Sequence, residues 1–348
     1  MQLQLKAFPF QLKFNHPFGI AHGTREFTDT LFVSASLNGF TGYGEAALPP
    51  YLGYDVHGFV ANFDKWFPAP LNGSEGIQQL FSMLAKSNAT LPSPVRAAVD
   101  IALYDLCGKL TEKPVRDLLG IPAGDSTECT YTLGISSIET MLEKLQEGSG
   151  FTIFKLKLGG ENDRERILAF KENSTAKFCV DANQAWQSVD QAIEEINFLK
   201  SQNCLFVEQP LPVAMVTEMR TLFTQSALPI YLDESIQNSQ DFDRLQDCCH
   251  GINIKLVKCG GLSPAVELMR TAKRLRKKVL IGCMSESSCG AAAAAQLAGW
   301  ADYVDLDGPK LISNDPFTGI VYAEGIITPN PTPGTGTNPS SDFAGFSL

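Results

Sequence analysis

The first stretch of the chain, MQLQLKAFPFQLKF, alternates apolar and polar residues with period two. TLFVSASLNG and FTGYGEA follow as β-branched and aromatic runs on either side of an Asn38-Gly39 pair. Side chains of a strand point to opposite faces in turn, and Asn-Gly supplies the backbone twist of a tight hairpin. Residues 1 to about 47 therefore predict a three-stranded antiparallel meander. From about 58 to 120 the pattern becomes helical. Ser93-Pro94 opens a segment in which Ala97, Ala98, Ile101, Ala102 and Leu106 form an apolar stripe at helical spacing.

A different rhythm begins near Cys129. Short apolar runs at 129–135, 152–158, 177–182, 204–208, 228–233, 252–257, 278–283 and 303–306 predict strands. Segments such as 138–147, 162–172, 188–201, 239–247, 262–276 and 286–300 predict the helices between them. Strict alternation of strand and helix gives a parallel sheet, and eight strands favour closure into a barrel. An open doubly wound sheet is the runner-up, but no G-x-G-x-x-G or P-loop follows any strand. The closing PNPTPGTGTNPSSDFAGFSL is rich in Pro, Gly and Ser and predicts a surface cover.

Composition narrows the class. A chain of 348 residues with 44% hydrophobic and 19% charged residues builds one large domain or two unequal ones. Its net charge of −10 argues against nucleic acid or an anionic membrane surface as partner. The densest basic run, Lys273, Arg274, Arg276, Lys277 and Lys278, falls at a predicted helix end, where cations suit the dipole. Nine cysteines without C-x-x-C spacing read as buried free thiols in a reducing compartment. No uncharged apolar run approaches the ~18 residues of a membrane span, and the N-terminus alternates rather than forming a signal core. A soluble, cytoplasmic protein is expected.

The chemistry lies at the ends of the predicted barrel strands. Lys157, Asp181, Glu208, Asp233 and Lys255 follow one another at steps of 24, 27, 25 and 22 residues, and Asp305 and Asp307 close the series. Charged residues at the carboxyl ends of successive parallel strands converge on one mouth, where barrel enzymes carry their sites. Lys155 and Lys157, Asp181 and Asn183, and Asp305 and Asp307 are spaced i, i+2, so each pair shares one face of its strand. Three carboxylates from consecutive strands repel unless a cation sits among them, and an all-oxygen set without His or Cys selects Mg²⁺. Lys157 and Lys255 come from the second and sixth strands, on opposite sides of a closed barrel. A neighbouring Lys155 and a nearby Mg²⁺ both disfavour the ammonium form of Lys157, as a general base requires. One lysine would remove a proton α to a carboxylate and the other return one from the opposite side. Lys258, three residues beyond Lys255, reads as a surface residue past the strand end.

These motifs resemble the enolase superfamily, in its muconate-lactonising branch: K-x-K (155–157), D-x-N (181–183), E-Q-P (208–210), D-E-S (233–235) and N-I-K-x-x-K-x-G-G (253–261), with GYGEA (42–46) and AAVDIALYDLCGK (97–109) upstream. The resemblance implies an α/β fold, a modified (β/α)7β TIM-like barrel under an N-terminal α+β capping domain. The cap would span 1–120, completed by about 320–348, and the barrel 121–319. It implies Asp181, Glu208 and Asp233 as Mg²⁺ ligands and Lys157 and Lys255 as the acid/base pair. Lys155 and Asn183 would assist the substrate carboxylate or the metal site, and Glu234 would support a base. A homo-oligomer is implied as well.

Within that branch, the eighth-strand pair Asp305 and Asp307 resembles the clamp by which dipeptide epimerases hold a substrate's α-ammonium, and G-C-M-S-E-S (282–287) is similar to that group. The implied reaction is 1,1-proton transfer at the C-terminal residue of an Ala-X dipeptide, with Thr132 and Met284 among the substrate-binding residues. The alternative is o-succinylbenzoate synthesis, N-acylamino-acid racemisation or another muconate-lactonising-type reaction at the same site. Members acting on Ala-Glu carry an arginine in the loop after Pro17-Phe18, where this chain has Gly23; Arg25 stands two residues later. That departure favours a neutral or apolar X, with Arg25 still able to reach. Loops 15–26 and 49–57, with Gly19, Gly23, Gly53 and Gly58, are expected to be a flexible lid. Their His16, His22 and His57 read as surface residues, and His250 falls at the opposite end of the barrel.

Overall fold

The computed structural model describes residues 2–341, apart from 22, 70, 88–89 and 123–126. Three long antiparallel strands, Gln2–Ile20, Gly23–Leu37 and Phe40–Leu48, form the expected meander, and a short strand Leu71–Asn72 adds to its edge. One sheet face is covered by helices Val56–Trp66, Gly73–Lys86 and Ser93–Thr111, with Leu31, Val33, Phe63, Ala98 and Leu103 buried between. The sheet and the last helix touch backbone to backbone. A Cβ on Gly44 would lie 2.0 Å from the Ala98 carbonyl oxygen, and one on Gly42 2.2 Å from that of Ala102. The glycines of GYGEA and the alanines facing them are there for that close approach.

The barrel strands are Thr130–Leu133, Ile153–Lys157, Lys177–Asp181, Val207–Glu208, Ile230–Leu232, Gly251–Ile254, Lys278–Gly282 and Tyr303–Asp305, each parallel to the next. A bridge between Cys129 and Val304 brings the eighth strand beside the first. Outward residues such as Phe154 and Phe178 pack on the helices through Phe170. Inward residues are layered. Cys179, Phe206, Tyr231 and Tyr303 pack together with Leu280 as a floor. Two residues further along the same strands stand Asp181, Glu208, Asp233 and Asp305. The period of two thus converts an apolar plug into a charged mouth on each strand.

Two expectations need correction. The Pro/Gly-rich tail is not merely a surface cover. Thr335 and Thr337 are buried, and Thr335 donates to Asp105 Oδ1 from its N–H (2.8 Å) and hydroxyl (3.1 Å). Asp105 is fully buried in the helix Ser93–Thr111 and also accepts from the Tyr43 N–H and Lys109 Nζ. A buried carboxylate needs such partners, and the tail supplies some of them. The predicted sixth strand, 252–257, is cut short as well. It ends at Ile254, and Leu256–Cys259 turns at once into helix, closed by Gly260 and Gly261 at φ 97° and 121°. A Cβ on Gly261 would sit 2.4 Å from Asp100 Oδ2, so this turn is where the cap's Asp100 reaches the N–H groups of Leu262 (2.6 Å) and Ser263 (3.1 Å).

Candidate active site

Asp181, Glu208 and Asp233 are buried, and one carboxylate oxygen of each lies within 4.8 Å of the others. Local bonds fix all three. Asp181 Oδ1 accepts the Asn183 N–H (2.9 Å), a bond made in a turn that holds Asn183 and Gln184 at positive φ. Glu208 Oε1 accepts from Asn253 Nδ2 at 2.8 Å. Gln209 Oε1 accepts the N–H groups of Asp233 (3.0 Å) and Ser235 (3.2 Å), tying E-Q-P to D-E-S. Asn253 and Gln209 both lie in motifs quoted from the sequence, but neither was given a role there. Asn253 sits two residues before Lys255, so strand alternation would have found it.

The lysines divide the acids between them. Lys157 Nζ lies 2.6 Å from Asp181 Oδ2, and Lys255 Nζ lies 2.8 Å from Asp233 Oδ2. Lys155 Nζ lies 2.8 Å from Glu208 Oε2, 2.8 Å from Asp305 Oδ2 and 3.2 Å from Asp181 Oδ2. The surface reading of Lys258 is overturned. The helical turn that follows Lys255 folds it inward, where its Nζ bonds the Asp233 carboxylate and the carbonyls of Asp233, Ile236 and Asn253.

The charges respond to this packing. Burial alone would raise the pKa of Asp181 and Asp233, but Lys157 and Lys155 beside the first, and Lys255 and Lys258 beside the second, hold both well below the usual carboxylate range. Burial and then the charge of Asp181 push Glu208 up to about 8. Desolvation disfavours the ammonium of Lys155 and of Lys255, but the surrounding carboxylates outweigh it and raise both. Glu208 Oε2, though close to Lys155, accepts no well-directed hydrogen bond. Three convergent acids, one poorly satisfied, are a donor set that fits a hard divalent cation such as Mg²⁺.

Asp305 and Asp307 are unequal. Asp305 is bound by Lys155 and by the Thr130 hydroxyl (2.5 Å), and Lys155 holds it low against the opposing effect of burial. Asp307 accepts the Thr132 N–H at 2.5 Å, and burial followed by the charge of Asp305 raises it to about 7. Both face a narrow cavity that is also lined by Lys157, Lys255, Thr132, Met284 and Arg25. A larger open cleft, lined by residues including Leu142, Phe151 and Lys177, lies at the other end of the barrel and gathers no such set of acids and bases.

The first lid segment carries strand pairing. Residues Phe18 and Arg25, Gly19 and Thr24, and Ile20 and Gly23 pair as a continuation of the first hairpin. Gly19 serves a close contact, since a Cβ there would lie 2.2 Å from the Ile135 carbonyl oxygen, and Gly58 lies within the helix Val56–Trp66. Arg25 stands over the rings of Phe14 and Phe18 and donates to Thr28 Oγ1 at 2.7 Å, while its buried Nε has no hydrogen-bond partner. From the second segment, the Tyr51 hydroxyl donates to Met284 Sδ at 3.1 Å, closing the cavity beside Lys255. His16 pairs with Glu147, His57 is exposed, and His22 falls outside the described residues. His250 is remote, accepting the Ile230 N–H at the start of the fifth barrel strand. Glu234 accepts from Asn183 Nδ2 and touches neither base.

Known proteins agree with this architecture. Residues 4–120 match the family description "Mandelate racemase / muconate lactonizing enzyme, N-terminal domain", and residues 138–343 match "Enolase C-terminal domain-like". An L-Ala-D/L-Glu epimerase of Bacteroides thetaiotaomicron is 38% identical over 96% of this chain and 88% of its own length. An L-Ala-D/L-amino acid epimerase of a Maribacter species is 36% identical over 93% of this chain and 95% of its own. The crystal structure of a dipeptide epimerase from Enterococcus faecalis, complexed with Mg and L-Leu-L-Tyr, superposes with a TM-score of 0.89 at 29% identity, covering 97% of this chain and 100% of that one.

Proposed function

Because the chain belongs to the mandelate racemase and muconate lactonizing enzyme family of enolase-type barrels, we propose that it is a Mg²⁺-dependent dipeptide epimerase. The reaction is a 1,1-proton transfer at the α-carbon of the C-terminal residue of an Ala-X dipeptide. One observation carries the reading. Two lysines from strands two and six reach the acidic triad at its two ends, Lys157 at Asp181 and Lys255 at Asp233, with Glu208 between them.

Asp181, Glu208 and Asp233 would hold Mg²⁺, which when bound supplies Lewis-acid stabilisation of the negative charge that builds on the substrate carboxylate. Lys157 and Lys255 face the α-carbon from opposite sides. One, as the free amine, takes the α-proton; the other, as the ammonium, delivers a proton to the opposite face, and the configuration inverts. In the reverse direction their roles exchange. Lys155 keeps a fixed positive charge beside Asp181 and Glu208 and neutralises Asp305. Asp307, with Asp305 behind it, takes the α-ammonium of the N-terminal residue, and Thr132 and Met284 line the space between. An acid pair there suits a zwitterion and repels the anionic acids of succinylbenzoate synthesis or lactonisation.

Phe18, Ile20 and Leu311 give the cavity an apolar wall that suits a neutral or apolar X, with Arg25 at its edge. Free thiols at all nine cysteines fit a cytoplasmic enzyme, and among the described residues no helix is long and apolar enough to cross a membrane. The family resemblance supports a homo-oligomer. The test is a library of Ala-X dipeptides incubated in D₂O and read by mass spectrometry. Deuterium should enter at one carbon, with neutral or apolar X, and stop on addition of EDTA. No uptake across the library by the Mg²⁺-loaded enzyme would overturn the assignment.

A further inference from the structure

We propose that Lys258 is a positioning residue: it fixes the carboxylate of Asp233 and, through it, the place of the base Lys255. Lys258 lies on the helical turn Leu256–Cys259, three residues after Lys255, and its N–H bonds the Lys255 carbonyl at 3.0 Å. Its ammonium is buried and spans two strand ends. On the fifth it meets Asp233 Oδ1, the Asp233 carbonyl at 2.5 Å and the Ile236 carbonyl at 3.2 Å. On the sixth it meets the Asn253 carbonyl at 3.2 Å. These acceptors account for every proton of an ammonium, so the group has no donor left for a substrate.

The consequence lies in how the two lysines share one carboxylate. Lys258 holds Oδ1 and Lys255 holds Oδ2. With Oδ1 engaged from behind, Asp233 presents a single oxygen to the mouth. Lys255 then meets that oxygen at one point and keeps its direction toward the cavity. Without Lys258, Asp233 is free to turn about its side-chain bonds, and both its oxygens are open to Lys255. The base would be drawn onto the acid and away from the substrate. Lys157 on the opposite side leans on Asp181, which Lys258 does not touch. With Mg²⁺ kept saturating, so that the part of Asp233 in the triad is held constant, loss of Lys258 therefore acts on one side of the substrate only. A displacement of about 1 Å in a reacting group is enough to lower its rate roughly a hundredfold.

This inference rests on the roles proposed above for Asp233 and Lys255, and two measurements separate it from them. The first is the crystal structure of the Lys258→Met protein without metal; the second is α-proton exchange in D₂O, started separately from each epimer at X. The Asp233 carboxylate is expected to leave its position, with Lys255 Nζ between its two oxygens. Exchange from one epimer should fall roughly ten- to hundredfold, while that from the other stays within about threefold. Lys258→Gln, which keeps donors for the carbonyls and removes the charge, repeats both measurements in a milder change. Lys277→Met, which removes a lysine bonded to the Cys249 carbonyl far from the site, should leave both epimers unaffected. An unmoved Asp233 together with equal losses from both epimers would overturn the proposal. If the unsubstituted enzyme exchanges no dipeptide, the functional reading fails, and the crystal structure still decides whether Lys258 holds Asp233.

Discussion

Arg25 shows how much a single side chain can carry. It stands where the first hairpin meets the cavity, held by two aromatic rings and one hydroxyl, with a buried Nε unused. Burial lowers its pKa but leaves it a cation at neutral pH. Such a group discriminates an acidic X from an apolar one, because a charge-assisted hydrogen bond contributes roughly 1.5–3 kcal/mol. Arg25→Ala should therefore raise KM for Ala-Glu by about tenfold or more and leave Ala-Leu nearly unchanged. Steady-state kinetics on the two dipeptides checks this; equal effects on both would remove Arg25 from substrate recognition.

At the scale of elements, the cap is fastened to the barrel by buried carboxyls. Glu45, on the strand Phe40–Leu48, accepts the N–H groups of Ser287 (3.0 Å) and Gly290 (2.9 Å) at the start of the helix Ser288–Ala295. The Ser287 and Thr30 hydroxyls also donate to it. Burial is the main cause that lifts Glu45 to about 7, opposed by those bonds. Glu286 beside it is lifted to about 8 by burial and then by the charge of Glu45. Asp315 is the further acid facing Glu45, and Lys255 the cation facing Glu286. The folded state thus binds protons that the unfolded chain has released. Stability is fully present below the ordinary carboxyl range near 4.5 and is lost as pH rises toward 7 to 8. For Glu45 the loss is roughly 3 kcal/mol. Glu45→Gln, neutral throughout, should show a flatter stability profile between pH 5 and about 8 in urea unfolding of the metal-free protein. Parallel profiles for the two proteins would contradict this role for Glu45.

Across the whole molecule, what could be read in the sequence was what period two and period 3.6 encode. The meander, the alternating strands and helices and the charged strand ends all follow from side chains that face one way at regular spacing. The triad was legible because each acid ends an apolar run whose floor residue lies two positions earlier, as Phe206 does before Glu208, and both lysines because they fall at strand ends in the same regular series. Lys258 was misread because the strand stops at Ile254 and a helical turn follows, which changes the direction in which each residue points. The tail was misread because its partner, Asp105, lies 230 positions away from Thr335, and no local pattern encodes a distant buried carboxylate. The close contact at Gly19 was hidden for the same reason, since this glycine answers to the carbonyl of Ile135 rather than to its own neighbours.

The account as a whole stands on two amines serving opposite faces of one carbon. Lys157→Gln and Lys255→Gln, each loaded with Mg²⁺, should both lose epimerisation by roughly 10²- to 10⁴-fold. Deuterium exchange started from the separate L and D epimers at X is the decisive measurement. Each variant should still exchange the epimer whose α-hydrogen faces its remaining lysine, and the two variants should retain opposite epimers. Retention of the same epimer by both, or exchange of both epimers by either one, would contradict the arrangement.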